Sequence, residues 1–258
     1  MNRPVIFSNI TNGTSATALF VSAFCLADVP LDFFAVIAGW TATVMAYCFF
    51  RPPVPIMSTF ALAWMLCALG YLHSWIIGHL PAELLWNRKG VLYPLLWLGF
   101  IAFLAYLPSL IGLKTAFRLR NPWTKNAMIA LSWTAFSMMP WMLAFPENDH
   151  GLITRLVSRF LLLFALSVAS DISDTHEDKH SLRTIPQILG KGKTEALILL
   201  ILLASLSVQG FDQRSEILAV APAILAILLM RVIAPKWQRE WVLDSAMVAH
   251  AVVLIAFS

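Results

Sequence analysis

Apolar residues run through this chain in blocks, each closed by a cluster of polar or helix-breaking residues. The blocks lie near residues 12–28, 31–50, 57–78, 91–111, 127–145, 153–172, 194–209, 216–233 and 241–257. Crossing a hydrocarbon layer of about 30 Å takes roughly 20 helical residues, so these lengths suit membrane-spanning helices. Most blocks also lack the polar stripe that a helix on a soluble surface presents to water. The pattern therefore predicts an all-α polytopic membrane bundle of about nine transmembrane helices. Asp28-Val-Pro-Leu separates the first two blocks, with Pro30 as the breaker of a tight reversal. No soluble domain fits between any two blocks, and no repeat or low-complexity run is evident. Residues 1–258 are expected to form a single integral membrane domain.

Composition strengthens this picture. Hydrophobic residues make up 59% of the chain and charged residues 12%, roughly half the charged fraction of an ordinary soluble domain. A formal charge of +4 in such a chain points to membrane topology and not to nucleic acid. Arg3, Arg51, Lys114, Arg118, Arg120, Lys125, Lys179, Arg183, Lys191, Lys193, Arg231, Lys236 and Arg239 fall on one side of the alternating loops, and Arg88, Lys89, Arg155, Arg159 and Arg214 on the other. Excess Lys and Arg mark cytoplasmic loops, which places the amino terminus inside and the carboxyl terminus outside. The glycosylation patterns at Asn9 and Asn12 then have no consequence. Cys25, Cys48 and Cys67 lie within apolar blocks and form no CxxC pair, so neither a zinc site nor a disulfide framework is expected. No small-x-small site closes the first apolar stretch, which argues against a cleaved signal peptide.

Candidate chemistry concentrates after the sixth block, in Asp171-Ile-Ser-Asp-Thr-His-Glu-Asp-Lys-His-Ser-Leu-Arg-Thr-Ile-Pro-Gln-Ile-Leu-Gly190. Asp171, Asp174 and Asp178 recur at i, i+3 and i+7, which puts them on one face of a continuous helix. Three close carboxylates repel unless a cation or proton intervenes. Hard oxygen donors of this kind suit Mg2+, which takes further ligands from substrate phosphates. Lys179 and Arg183 follow directly and can hold those phosphates. Thr184-Ile-Pro is expected to end the helix, because the residue before a proline avoids the helical region.

The string DxxDxxxD followed by Arg-Thr-Ile-Pro and Leu-Gly resembles the second aspartate-rich motif of the UbiA-type prenyltransferase superfamily. Members of that family have nine helices, a cytoplasmic amino terminus and this motif after the sixth helix. The resemblance implies an intramembrane prenyltransferase. It would move an isoprenyl group from a magnesium-bound isoprenyl diphosphate to an aromatic or lipid acceptor. Asp171, Asp174 and Asp178 would hold the metal. Basic residues of the loop after the fourth helix would approach the diphosphate, and Lys125 is the preferred candidate there. A dry, aromatic-rich cavity would shelter the allylic cation.

One family feature is missing. The first aspartate-rich motif belongs at the cytoplasmic end of the second helix, where this chain reads Ala46-Tyr-Cys-Phe-Phe-Arg-Pro-Pro, with no carboxylate. Arg51 stands at that position, either as a guanidinium substitute for one metal on the diphosphate or as a boundary arginine. Three alternatives stay open. The chain is a non-catalytic lipid-binding or assembly protein of the same fold, a terpene cyclase using the same diphosphate grip, or a zinc metalloprotease. The last rests on His176-Glu-Asp-Lys-His180, which fits HExxH. His73, Asp244 and His250 sit inside apolar blocks, where ionisable groups face a cavity or a partner. Each is expected to be a hydrogen-bonded packing residue.

Overall fold

The structure is a computed structural model that describes residues 5–26, 30–50, 56–79, 121–144, 150–174, 184–209, 214–230 and 236–257. Every element among the described residues is a helix: α1 Val5–Leu26, α2 Phe33–Phe50, α3 Ile56–His79, α4 Pro122–Ala144, α5 His150–Asp174, α6 Ile185–Leu189, α7 Lys191–Gln209, α8 Arg214–Met230 and α9 Lys236–Phe257. Eight of the nine predicted spans coincide with long helices. The span expected over 91–111 lies outside the described residues. Among the described residues, Ile153–Ile172 is long and apolar enough to cross a bilayer. Phe33–Met45, Ala63–Leu72, Leu218–Met230 and Val242–Phe257 are apolar but shorter.

Helix starts are set by side chains that accept from the first free backbone N–H groups. Asp32 Oδ1 accepts from the N–H groups of Phe34 at 2.8 Å and Ala35 at 3.0 Å, which opens α2. Asn121 Oδ1 accepts from Trp123 N–H at 3.0 Å, and Pro122 supplies a pre-set φ at the first position of α4. The break after the aspartate-rich motif differs in detail from expectation. Thr184 is the extended residue (φ −90°, ψ 161°), and Ile185-Pro186 begins the short helix α6. Proline is tolerated there because the N–H it lacks would find no partner in a first turn. Gly190 closes α6 at φ 80°, a value that favours glycine, and its carbonyl accepts from Thr194 N–H to start α7.

Cross-links between helices show how neighbours run. Trp75 Nε1, near the end of α3, donates to Asp32 Oδ2 at the start of α2 at 2.7 Å. Ser205, late in α7, meets Ser158, early in α5. His250, late in α9, meets Ala219, early in α8. These pairs are antiparallel; for α2 with α3 and α8 with α9 this is what the short connections between consecutive helices require.

α5 is the central element, packed by α4, α6, α7, α8 and α9. Its buried face (Leu162, Leu166, Val168, Ala169) joins Ile198 and Leu202 of α7 and Met247 of α9 in one core. A second core is aromatic. Phe20 of α1 stacks on Phe136 of α4 with centroids 4.9 Å apart, and Phe24 meets Phe20 edge-on at 5.1 Å. Glycines allow this closeness. A Cβ on Gly13 would overlap Val44, and one on Gly39 would lie 2.9 Å from the Phe136 ring.

Candidate functional site

The site grows from the meeting of α4's first turn with α5's last two turns. Lys125 and Asn126 are adjacent in α4. Ser167 and Asp171 are one turn apart in α5 and share a face. The antiparallel packing of the two helices brings all four together. Lys125 Nζ lies 2.8 Å from Asp171 Oδ1. Asn126 Nδ2 donates to Asp171 Oδ2, also at 2.8 Å. Ser167 Oγ donates to Asn126 Oδ1 at 2.6 Å. The serine contact orients the amide, and the amide in turn fixes the plane of the carboxylate.

Exposure is unequal within this network. The Asp171 side chain is 4% exposed and that of Lys125 is 21% exposed. A carboxylate so deep requires charged and hydrogen-bonded partners, and it has both. An ammonium carries three donors. One engages Asp171, so two remain on the more open side of the pair. On the same two helices, Trp123 of α4 stacks on Phe164 of α5 at 6.5 Å, and Phe164 stacks on Phe160 at 6.0 Å. The α4–α5 pair thus carries both a fixed cation and a row of aromatic rings.

The sequence placed Asp171 on a metal and Lys125 on a phosphate, as separate parts. The structure joins them into an ion pair. This arrangement does not fit Mg2+ on Asp171. Each of its oxygens accepts one hydrogen bond and keeps a second lone pair, but an ammonium stands beside one of them. Two unit charges about 4 Å apart interact by roughly 4 kcal/mol at an effective dielectric of about 20, and a divalent ion doubles that repulsion. Asp174 is the last residue of α5. Asp178, Lys179, Arg183, Arg51 and the His176–His180 pattern lie outside the described residues. Among the described residues, no three His, Cys, Asp or Glu side chains gather as a metal site.

Sequence reasoning missed Asn126 and Ser167. A small polar residue in an apolar block is a weak signal, and only the pairing of α4 with α5 gives these two a role. It also missed a second polar cluster near the other end of α5. Ser205 Oγ donates to the Ser158 carbonyl at 3.0 Å, and the two hydroxyls lie 2.8 Å apart. Arg159 is buried one residue beyond Ser158. His250 is also buried, with Nδ1 2.6 Å from the Ala219 carbonyl. A carbonyl only accepts, so Nδ1 carries the proton. Pro222 lies inside α8, three residues after Ala219. An interior proline disturbs the preceding turn, and His250 supports the backbone there. His250 is therefore the hydrogen-bonded packing residue expected. Asp244 contributes its backbone carbonyl, which accepts from Ser15 Oγ at 3.1 Å. Nothing matched the chain among known family models, curated proteins or solved structures.

Proposed function

We propose that this chain is a divergent intramembrane prenyltransferase of UbiA type. In this proposal it transfers an isoprenyl group from an isoprenyl diphosphate to an aromatic or lipid acceptor. One observation carries the proposal: α4 and α5, which hold the Lys125 ammonium against a buried carboxylate, also carry the stacked rings Trp123, Phe164 and Phe160. A diphosphate ester with an apolar tail needs that combination of a fixed cation and an apolar, aromatic surface.

The membrane setting belongs to the same proposal. Phe33 and Phe34 are 67% and 68% exposed, and Leu200, Leu225, Val252 and Phe257 also face outward. In water such rings and branched chains would form adhesive patches; in lipid they meet their preferred surroundings. The close helix approaches at Gly13 and Gly39 suit a bilayer, where small residues let helices pack by van der Waals contact. The excess of Lys and Arg on one side puts the Lys125 end of the bundle toward the cytoplasm.

Chemically, the bond between the allylic carbon and the diphosphate oxygen breaks, and the diphosphate leaves with the electron pair. The acceptor forms its bond to that carbon and gives up a proton. Lys125 offers two N–H donors to the departing charge, which lowers the barrier most when the donors are pre-placed. The exposed Trp123 ring is the one available to the isoprenyl cation. Magnesium remains part of the proposal: Asp174 and Asp178 would hold it, and when bound it would neutralise diphosphate charge.

A second reading has a specific observation in its favour. Asp171 is held on both oxygens by Lys125 and Asn126, which suits a non-catalytic prenyl-lipid binder that needs no metal. A single-turnover assay separates the two readings, with the full chain in lipid nanodiscs and radiolabelled farnesyl or geranylgeranyl diphosphate. Pyrophosphate release together with a prenylated acceptor supports the transferase. Retention of intact ligand supports the binder. No binding of either diphosphate overturns both.

A further inference from the structure

We infer that Asp171 is a positioning residue for Lys125 and not a metal ligand: its carboxylate holds the ammonium ready for a phosphate-bearing headgroup. The inference rests on the proposal above for the identity of the anion.

Three observations carry it. First, both carboxylate oxygens are taken by donors from one turn of α4, at 2.8 Å each. Second, the Ser167–Asn126–Asp171 chain contains no further charge. The neutral groups behind the carboxylate fix its orientation, and the Lys125 ammonium is the charged member of the network. Third, the pair is graded in depth: Asp171 is sealed and Lys125 is the member that reaches the open side. A lysine on a flexible four-carbon stem loses rotamer freedom when it grips a ligand. Fixing it beforehand removes that loss from the binding step.

The inference predicts an effect whose sign simple electrostatics reverses. Asp171→Asn removes a negative charge beside an anion site, so a charge effect alone would tighten anion binding. Loss of positioning weakens it instead.

The probe is inorganic pyrophosphate, titrated calorimetrically into the full chain in nanodiscs, with Mg2+ and with EDTA. Lys125→Met should weaken binding about ten- to a hundredfold in both conditions, as expected for loss of a charged hydrogen bond. Asp171→Asn should weaken it about three- to tenfold in EDTA, the cost of ordering one long side chain. The ratio of affinities with and without Mg2+ should stay at its wild-type value in Asp171→Asn. Asn126→Ala keeps every charge and should reproduce the direction of the Asp171→Asn effect, which guards against a variant that fails to fold.

Tighter binding by Asp171→Asn overturns the inference. So does loss of the magnesium enhancement in Asp171→Asn while Lys125→Met keeps it, because Asp171 is then a metal ligand. Both results leave the transferase proposal standing. Failure of the wild-type chain to bind farnesyl diphosphate and pyrophosphate overturns that proposal, and the anion site with it.

Discussion

The two ends of α5 handle buried polarity in opposite ways. At the Asp171 end an acid faces a base, an amide bridges, and the base keeps donors in reserve. Near the Ser158 end two hydroxyls pair across α5 and α7, and a histidine props a carbonyl next to a proline turn. The same helix thus carries one network whose charged member is partly open and one whose Arg159 and His250 are buried. A partly open charged group with donors to spare is what a ligand site needs. Hydrogen bonds between helices hold them in register. On the proposed function, recognition belongs to the first end of α5 and helix packing to the second.

That contrast can be broken by substitution. The largest effect is expected from Lys125→Met, which strands the buried Asp171 carboxylate. Unfolding free energy should fall by about 3–5 kcal/mol, and the double variant Lys125→Met/Asp171→Asn should recover most of it. Denaturation of the reconstituted protein measures both, and equal losses in single and double variants would mean the pair is not a unit. Gly13→Leu is next. Its side chain collides with Val44, and overpacking of this kind costs about 1–3 kcal/mol. A wild-type melting temperature would show that α1 and α2 can part without cost.

His250→Phe removes the partner of the Ala219 carbonyl and should cost about 1–2 kcal/mol while leaving pyrophosphate affinity unchanged. A changed affinity would give that end a part in recognition and erase the contrast. The smallest effect belongs to Ser158→Ala and Ser205→Ala. An interhelical polar pair is worth about 0.6 kcal/mol, so a double-mutant cycle on thermal unfolding should return a coupling of that order.

Much of the helical layout was legible, because block lengths and breakers depend on local chemistry. Pro122 and Gly190 act within their own turns, and a sequence marks such turns directly. Asp32 was legible only as an acid near a predicted helix start. Its second partner, Trp75, lies 43 positions away and belongs to another helix. Arg155 and Arg159 were read as residues of the outer side. Arg159 is buried in the bundle, because α5 begins at His150 and carries it two turns along the helix. Hydropathy alone cannot tell a buried arginine from one near a helix end.

The aspartate pattern shows the same division. Spacing of i, i+3 and i+7 determines which residues share a helix face, since that depends only on helical pitch. What the face meets is decided by its neighbours. Lys125 and Asn126 are 46 and 45 positions from Asp171 in the chain, and no local pattern connects them. The sequence by itself determined that the described residues are helical and roughly where eight of the helices lie. Tertiary structure alone decided that the first aspartate of the motif faces an ammonium and an amide. Pairing energies between helices depend on distances that only packing sets, and a 2.8 Å contact outweighs any preference encoded in spacing.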